Sequence, residues 1–139
     1  ALVAGADAAR VAHFADFGLN LGLAFQAQDD LLGIWGDEQL IGKSVSTDIA
    51  TRKKTLPVLY GLERSAPLRA LYADEPADAA DFVSSVVPLL DATGARTYTA
   101  ECVALYTDKA LVHLAAAQPQ EPAAAALYQL TDMLLRRNY

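Results

Sequence analysis

The chain has 139 residues, 53% hydrophobic, 20% charged and 8% aromatic, which suits a globular domain or a large part of one and excludes disorder. Alanine is the commonest residue, against 8 glycines and 6 prolines, so the best helix former dominates and a β-sandwich is disfavoured. Lys and Arg number 11 against 17 Asp and Glu, a net charge of -6, which argues against nucleic acid or an anionic membrane as partner and requires any bound anion to be met by a few placed cations.

From Leu2 to Trp35 apolar residues recur on nearly every face, and the pattern predicts one long, deeply buried helix with close neighbours at Gly5, Gly18 and Gly22. Ala1 to Ala12 lacks the basic start of a signal peptide and carries no helix-starting signal, as if a longer polypeptide had been cut there. The most apolar stretch, Phe17 to Trp35, is interrupted by Asn20, Gln26, Gln28, Asp29 and Asp30, so no membrane span is expected. Gly36 to Asp48 has two glycines, several turn formers and no sustained period, and reads as a long loop of the kind that tends to carry function.

Thr55 and Pro57 mark the start of a helix to about Arg64. Ser65 and Pro67 restart a short one through Tyr72, and Pro76 opens another to about Ala92, ended by Gly94, with Val83, Val86, Val87 and Leu90 facing inward and Pro88 as a kink. A helical period runs from about Arg96 to Ala117, and a last helix follows the turn from Gln118 to Pro122 and reaches Arg137. No strand, repeat or linker is predicted: the fold class is all-α, an antiparallel helical bundle, with residues 1–139 belonging to one domain. The single cysteine, Cys102, excludes a disulfide framework, suits a reducing cytoplasm and is expected to be buried. His13 and His113 lie far apart in sequence without partner ligands, and Trp35, Tyr98, Tyr106 and Tyr128 read as core.

The central feature is Gln26-Ala27-Gln28-Asp29-Asp30, adjacent carboxylates in an apolar helix. Burying both requires a compensating cation. Gln26 and Asp29 share a face, with Asp30 turned about 100° around the helix. Oxygen donors of this kind suit Mg²⁺, which takes one or two carboxylates and keeps water and substrate phosphates as its other ligands; ordinary pairing with Arg or Lys is the alternative. Downstream, Lys43, Arg52, Lys53 and Lys54 bring four of the 11 basic residues close together. A carboxylate-held Mg²⁺ with ammonium groups nearby is the minimum equipment for binding a diphosphate as a leaving group; a solvated charged loop would account for Arg52 or Lys54.

Gly22 to Leu32, then Gly36-Asp37, Gly42-Lys43, Asp48 and Lys53-Lys54-Thr55-Leu56-Pro57 closely resemble, in order and spacing, the second aspartate-rich region of the trans-isoprenyl diphosphate synthases, the farnesyl and geranylgeranyl diphosphate synthase family. The likeness continues more loosely through Arg96-Thr97-Tyr98 to Arg136-Arg137-Asn138. It implies the isoprenoid synthase type of all-α fold, here its C-terminal half, and a cytoplasmic Mg²⁺-dependent prenyltransferase acting on an allylic diphosphate and isopentenyl diphosphate, as a homodimer. Carried over by residue, Asp29 and Asp30 match metal-binding positions, Asp29 the likelier ligand. Gln26 matches a position beside the substrates, Lys43 and Lys53 match lysines that contact the allylic diphosphate, and Asp48 and Asp37 match acidic positions that orient the loop and metal waters.

Two features depart from the family pattern. Gly33 stands where the motif has a third aspartate, and the first aspartate-rich motif, with the isopentenyl diphosphate site, has no match here. The resemblance therefore implies a chain that needs the N-terminal half of the same enzyme as its partner. The alternatives are a non-catalytic or regulatory subunit of the same fold and, less favoured, a class I terpene cyclase, whose Asn/Ser/Glu metal triad is not visible.

Overall fold

The computed structural model describes residues 5–36, 46–74 and 78–135. Those residues form seven helices and no strand: α1 (Ala8–Trp35), α2 (Thr47–Ala50), α3 (Leu56–Arg64), α4 (Ala66–Ala73), α5 (Ala79–Thr93), α6 (Ala95–Ala117) and α7 (Ala123–Leu135). Contacts divide the chain into two compact units. The first is built from residues up to Gln26 and from Cys102 onward, the second from Ala27 to Glu101.

α1 begins at Ala8, later than the predicted Leu2, because Asp7 caps it. The Asp7 carboxylate accepts the Arg10 N–H at 2.9 Å and its carbonyl accepts Val11 N–H at 3.0 Å, so the helix-starting signal that seemed absent is an aspartate inside the predicted helix. The close approach expected at Gly18 and Gly22 is also corrected: a Cβ at either would meet no described atom within 4 Å. In the first unit Phe17 and Leu21 of α1 pack with Ala110 and Leu114 of α6, flanked by Leu127 and Leu134 of α7. Arg10 Nε donates to the Ala117 carbonyl at 3.0 Å, satisfying the end of α6. The two histidines, distant in sequence, meet across these helices with their Nδ1 atoms 3.2 Å apart, and Asp16 lies 3.6 Å from His113. Cys102 is half-buried rather than buried, and Tyr128 is exposed rather than core.

The second unit packs around Ile34, Ile49, Val58, Leu68, Phe82, Val86, Leu90 and Ala95. Of the stripe predicted on α5, Val86 and Leu90 are buried while Val83 and Val87 lie at its edge, and Phe82, outside the predicted stripe, is buried with them. Capping follows the sequence closely. The Ser65 hydroxyl accepts Leu68 N–H at 3.2 Å, Asp78 caps α5 through Ala80 and Asp81 N–H, and Gly94 ends α5 at φ 75. Asp78, not Pro76, opens α5, and Pro76 lies outside the described residues. Gly61 lets α3 sit against its neighbours: a Cβ there would fall 2.6 Å from Leu90 and 2.8 Å from Leu68. Tyr60 of α3 stacks on Tyr98 of α6 with ring centroids 4.1 Å apart, and the Arg64 guanidinium covers the outer face of Tyr60 at 3.5 Å. Trp35 Nε1 donates to Asp91 at 2.9 Å, tying the end of α1 to α5.

The predicted loop from Gly36 to Asp48 ends earlier than expected, because Thr47 and Asp48 already belong to the single helical turn α2. Asp37, Gly42 and Lys43, and the basic end Arg136-Arg137, lie outside the described residues.

Candidate functional site

The last two turns of α1 carry the carboxylate pair, and the two members have different surroundings. Asp29 is exposed, whereas Asp30 is buried, so the expectation that both are embedded is corrected. Asp30 faces the chain's own groups. Its Oδ2 accepts the Leu56 N–H at 2.9 Å and its Oδ1 lies 3.9 Å from Lys53 Nζ. The buried carboxylate thus caps α3 from a distance, supplying a negative charge at the positive end of that helix. Thr55 occupies the cap position, as expected, but its hydroxyl makes no capping bond; it is buried without a hydrogen-bond partner.

Lys53 reaches the site through the turn that ends α2. Its N–H bonds the Asp48 carbonyl at 2.9 Å while Arg52 N–H bonds Ile49 O at 2.8 Å. This paired pattern closes a helix when one residue adopts the left-handed conformation. Arg52 takes that conformation at φ 56, which is unusual for a side chain other than glycine or asparagine. Lys53 Nζ then donates to Asp48 Oδ2 at 3.1 Å. The hydrogen bond to Asp48, with the charges of Asp48, Asp30 and Asp29 around it, holds the ammonium above the usual lysine range against the opposing effect of burial. The ammonium remains half-exposed, so it is charged and accessible to an incoming anion.

Arg52 does not join this group. Its guanidinium donates to the carbonyls of Asp74 and Tyr72, closing the C-terminal end of α4, and covers the rings of Phe82 at 5.0 Å and Tyr72 at 5.6 Å. Lys54 is exposed. Of the four clustered basic residues, then, the structure brings Lys53 to the carboxylates, turns Arg52 to a structural task, and leaves Lys43 outside the described residues. Gln26 is exposed on α1 and belongs to the first unit. Among the described residues no group of three or more His, Cys, Asp or Glu side chains is arranged to hold a metal ion.

An all-α chain with a carboxylate pair near the end of one helix, one member of it met by a lysine from the turn that closes another, has the build of an isoprenoid synthase. The sequence profile described as polyprenyl synthetase matches residues 1–88, and the chain belongs to that family. It is 39% identical to a geranylgeranyl diphosphate synthase of Mycobacterium tuberculosis over 99% of its own length and 39% of that relative's. It is 38% identical to a (2E,6E)-farnesyl diphosphate synthase of the same species over 70% of its length and 29% of the relative's. Among solved structures, a polyprenyl synthetase from Streptomyces coelicolor superposes with a TM-score of 0.81 at 32% identity, covering 94% of this chain and 42% of that one. A geranylgeranyl pyrophosphate synthase from Corynebacterium glutamicum, complexed with isoprenyl diphosphate and magnesium, superposes at 0.80 with 26% identity over 97% and 40%. The chain thus spans about two fifths of the length of the geranylgeranyl diphosphate synthase and of the two solved structures, and less of the farnesyl diphosphate synthase, and its fold is that of the solved structures.

Proposed function

We propose that this chain is the C-terminal half of a prenyltransferase domain. The enzyme would join isopentenyl diphosphate to an allylic diphosphate, releasing inorganic diphosphate and a longer linear isoprenyl diphosphate. The observation that carries the reading is the Lys53 ammonium, half-exposed and fixed between Asp48 and Asp30, with the exposed Asp29 on the same helix as Asp30. Relatives named as geranylgeranyl and farnesyl diphosphate synthases support it.

The donor set fits Mg²⁺. Asp29 offers an exposed all-oxygen side chain, and an ion that keeps several waters and takes substrate phosphates needs only one or two carboxylates. Asp29 would hold the ion, with Asp30 beside it, although both Asp30 oxygens are turned toward protein groups. When bound, Mg²⁺ would offset charge on the diphosphate. Lys53, held by Asp48 and Asp30 with its ammonium half-exposed, would bind the allylic diphosphate as the carbon–oxygen bond breaks and negative charge builds on the departing group. Lys43 would contribute a second ammonium group to that diphosphate, Gln26 would lie beside the reacting chains, and Asp48 would keep Lys53 in position. The allylic carbon then accepts the isopentenyl double bond, and a proton is lost to restore an alkene. Homodimer pairing and a cytoplasmic location belong to the same reading; among the described residues no helix is long and apolar enough to cross a membrane.

The test is incorporation of labelled isopentenyl diphosphate into a longer allylic product. Mg²⁺-dependent incorporation is expected from the protein together with the remaining half of the domain. Its absence with every allylic chain length offered would end the reading.

A further inference from the structure

Three contacts converge on the end of α1 at Gly33. The Gly33 carbonyl, among the last four that a helix leaves without an internal partner, accepts the Ser46 N–H at 2.9 Å. The Ser46 hydroxyl reaches the next carbonyl, that of Ile34, at 3.4 Å. The Asp48 carboxylate closes over the glycine itself: a Cβ at position 33 would fall 2.8 Å from Asp48 Oδ2 and 3.1 Å from its Cγ. That same Oδ2 accepts from Lys53 Nζ. The space belonging to a side chain on α1 is filled by a carboxylate arriving from α2.

We propose that Asp48 is a positioning residue that occupies the side-chain space of residue 33 and from there holds the Lys53 ammonium beside Asp30, an arrangement that requires glycine at 33. Glycine within a helix costs about 0.5–1 kcal/mol relative to alanine, and here the missing methyl group gives Asp48 its seat. A Cβ at 33 can be accommodated by turning the Asp48 carboxyl group away, because Asp48 Cβ lies 3.6 Å off and can stay. Turning it releases Lys53, so a substitution at 33 acts on a lysine that residue 33 does not touch. An aspartate at 33 would crowd Asp48 and set like charges together. With Asp48 removed, the same aspartate extends into the vacated space and can take over the ammonium.

The experiment compares the parent protein with Gly33→Asp, Asp48→Ala and the double variant, by thermal unfolding and by KM for an allylic diphosphate. Each single substitution is expected to raise KM about tenfold, the size of one charge-assisted hydrogen bond, and Gly33→Asp to lower the melting temperature by about 5 °C. The double variant is expected to regain both. Simple addition of the two effects would overturn the proposal. If Gly33→Asp does not fold, Gly33→Ala decides: it should match Asp48→Ala in KM and add nothing when combined with it, and an unchanged KM would overturn the idea. The kinetic arm rests on the prenyl-transfer reading; the melting cycle does not, so a protein without transfer activity would end that reading and leave recovery or addition in the melts to decide this one.

Discussion

Asp48 holds Lys53 at two points, accepting its backbone N–H at 2.9 Å on the carbonyl and its ammonium at 3.1 Å on the carboxylate. The first bond shapes the turn that delivers the lysine, and the second aims its charge. A single aspartate therefore sets both the path of the chain and the position of the cation.

Lys53→Ala should lower kcat/KM for the allylic diphosphate by about a hundredfold, the scale of losing one group that stabilises developing charge. Lys54→Ala should change it little, its side chain being exposed outside the carboxylate group. Steady-state kinetics on the two variants check the register; a dominant Lys54 would show that the wrong lysine has been chosen.

Asp29→Ala and Asp30→Ala should fail in different ways. Asp29 is exposed, so its loss should leave stability within about 0.5 kcal/mol and lower turnover on the order of a hundredfold, with a raised Mg²⁺ requirement. Asp30→Ala strands the Leu56 N–H and should cost about 1–3 kcal/mol of stability. Urea unfolding beside activity at several Mg²⁺ concentrations separates the two outcomes.

Gly61→Ala should destabilise although it improves helix propensity. The added methyl group would lie 2.6 Å from Leu90 and 2.8 Å from Leu68, and overpacking of about 1–3 kcal/mol exceeds the gain of about 1 kcal/mol from removing glycine. A melting temperature at or above that of the parent would show that α3 can slide outward without cost.

The Tyr72 phenol is pushed up to about 12 by burial, with the Arg52 charge working in the opposite direction. Because the folded state keeps its proton longer than the unfolded chain, the contribution to stability is intact below about pH 10 and is lost as pH rises toward 12. Tyr72→Phe should flatten the loss of stability in that window, measured by unfolding at stepped pH, and should not weaken the protein at neutral pH, since the hydroxyl is buried without a partner.

Helix identity was legible because apolar spacing, Ser65, Pro57 and Gly94 act locally, within one turn of where they sit. Asp7 was missed because a cap is recognised by the break before it, and the apolar run hid the break. The carboxylate pair and Lys53 were visible as residue types at family-like spacing, but the division of labour between Asp29 and Asp30 was not, since both sit on one helix and only packing against α3 distinguishes them. Arg52 was counted with the cations for the same reason: composition records its charge, while its left-handed backbone at φ 56 and the carbonyls it closes at the end of α4 belong to the fold. The meeting of His13 with His113 likewise depends on helix pairing, which no local pattern encodes.

The stacked phenols of Tyr60 and Tyr98, with Arg64 over the outer ring, make the second unit optically self-reporting. Two aromatic chromophores held 4.1 Å apart at an interplanar angle of 19° couple their electronic transitions, and the resulting circular dichroism exists only while α3 stays docked on α6. Because α3 begins at the N–H that Asp30 holds, a loosening of the candidate site can be followed by light, without substrate, metal or label.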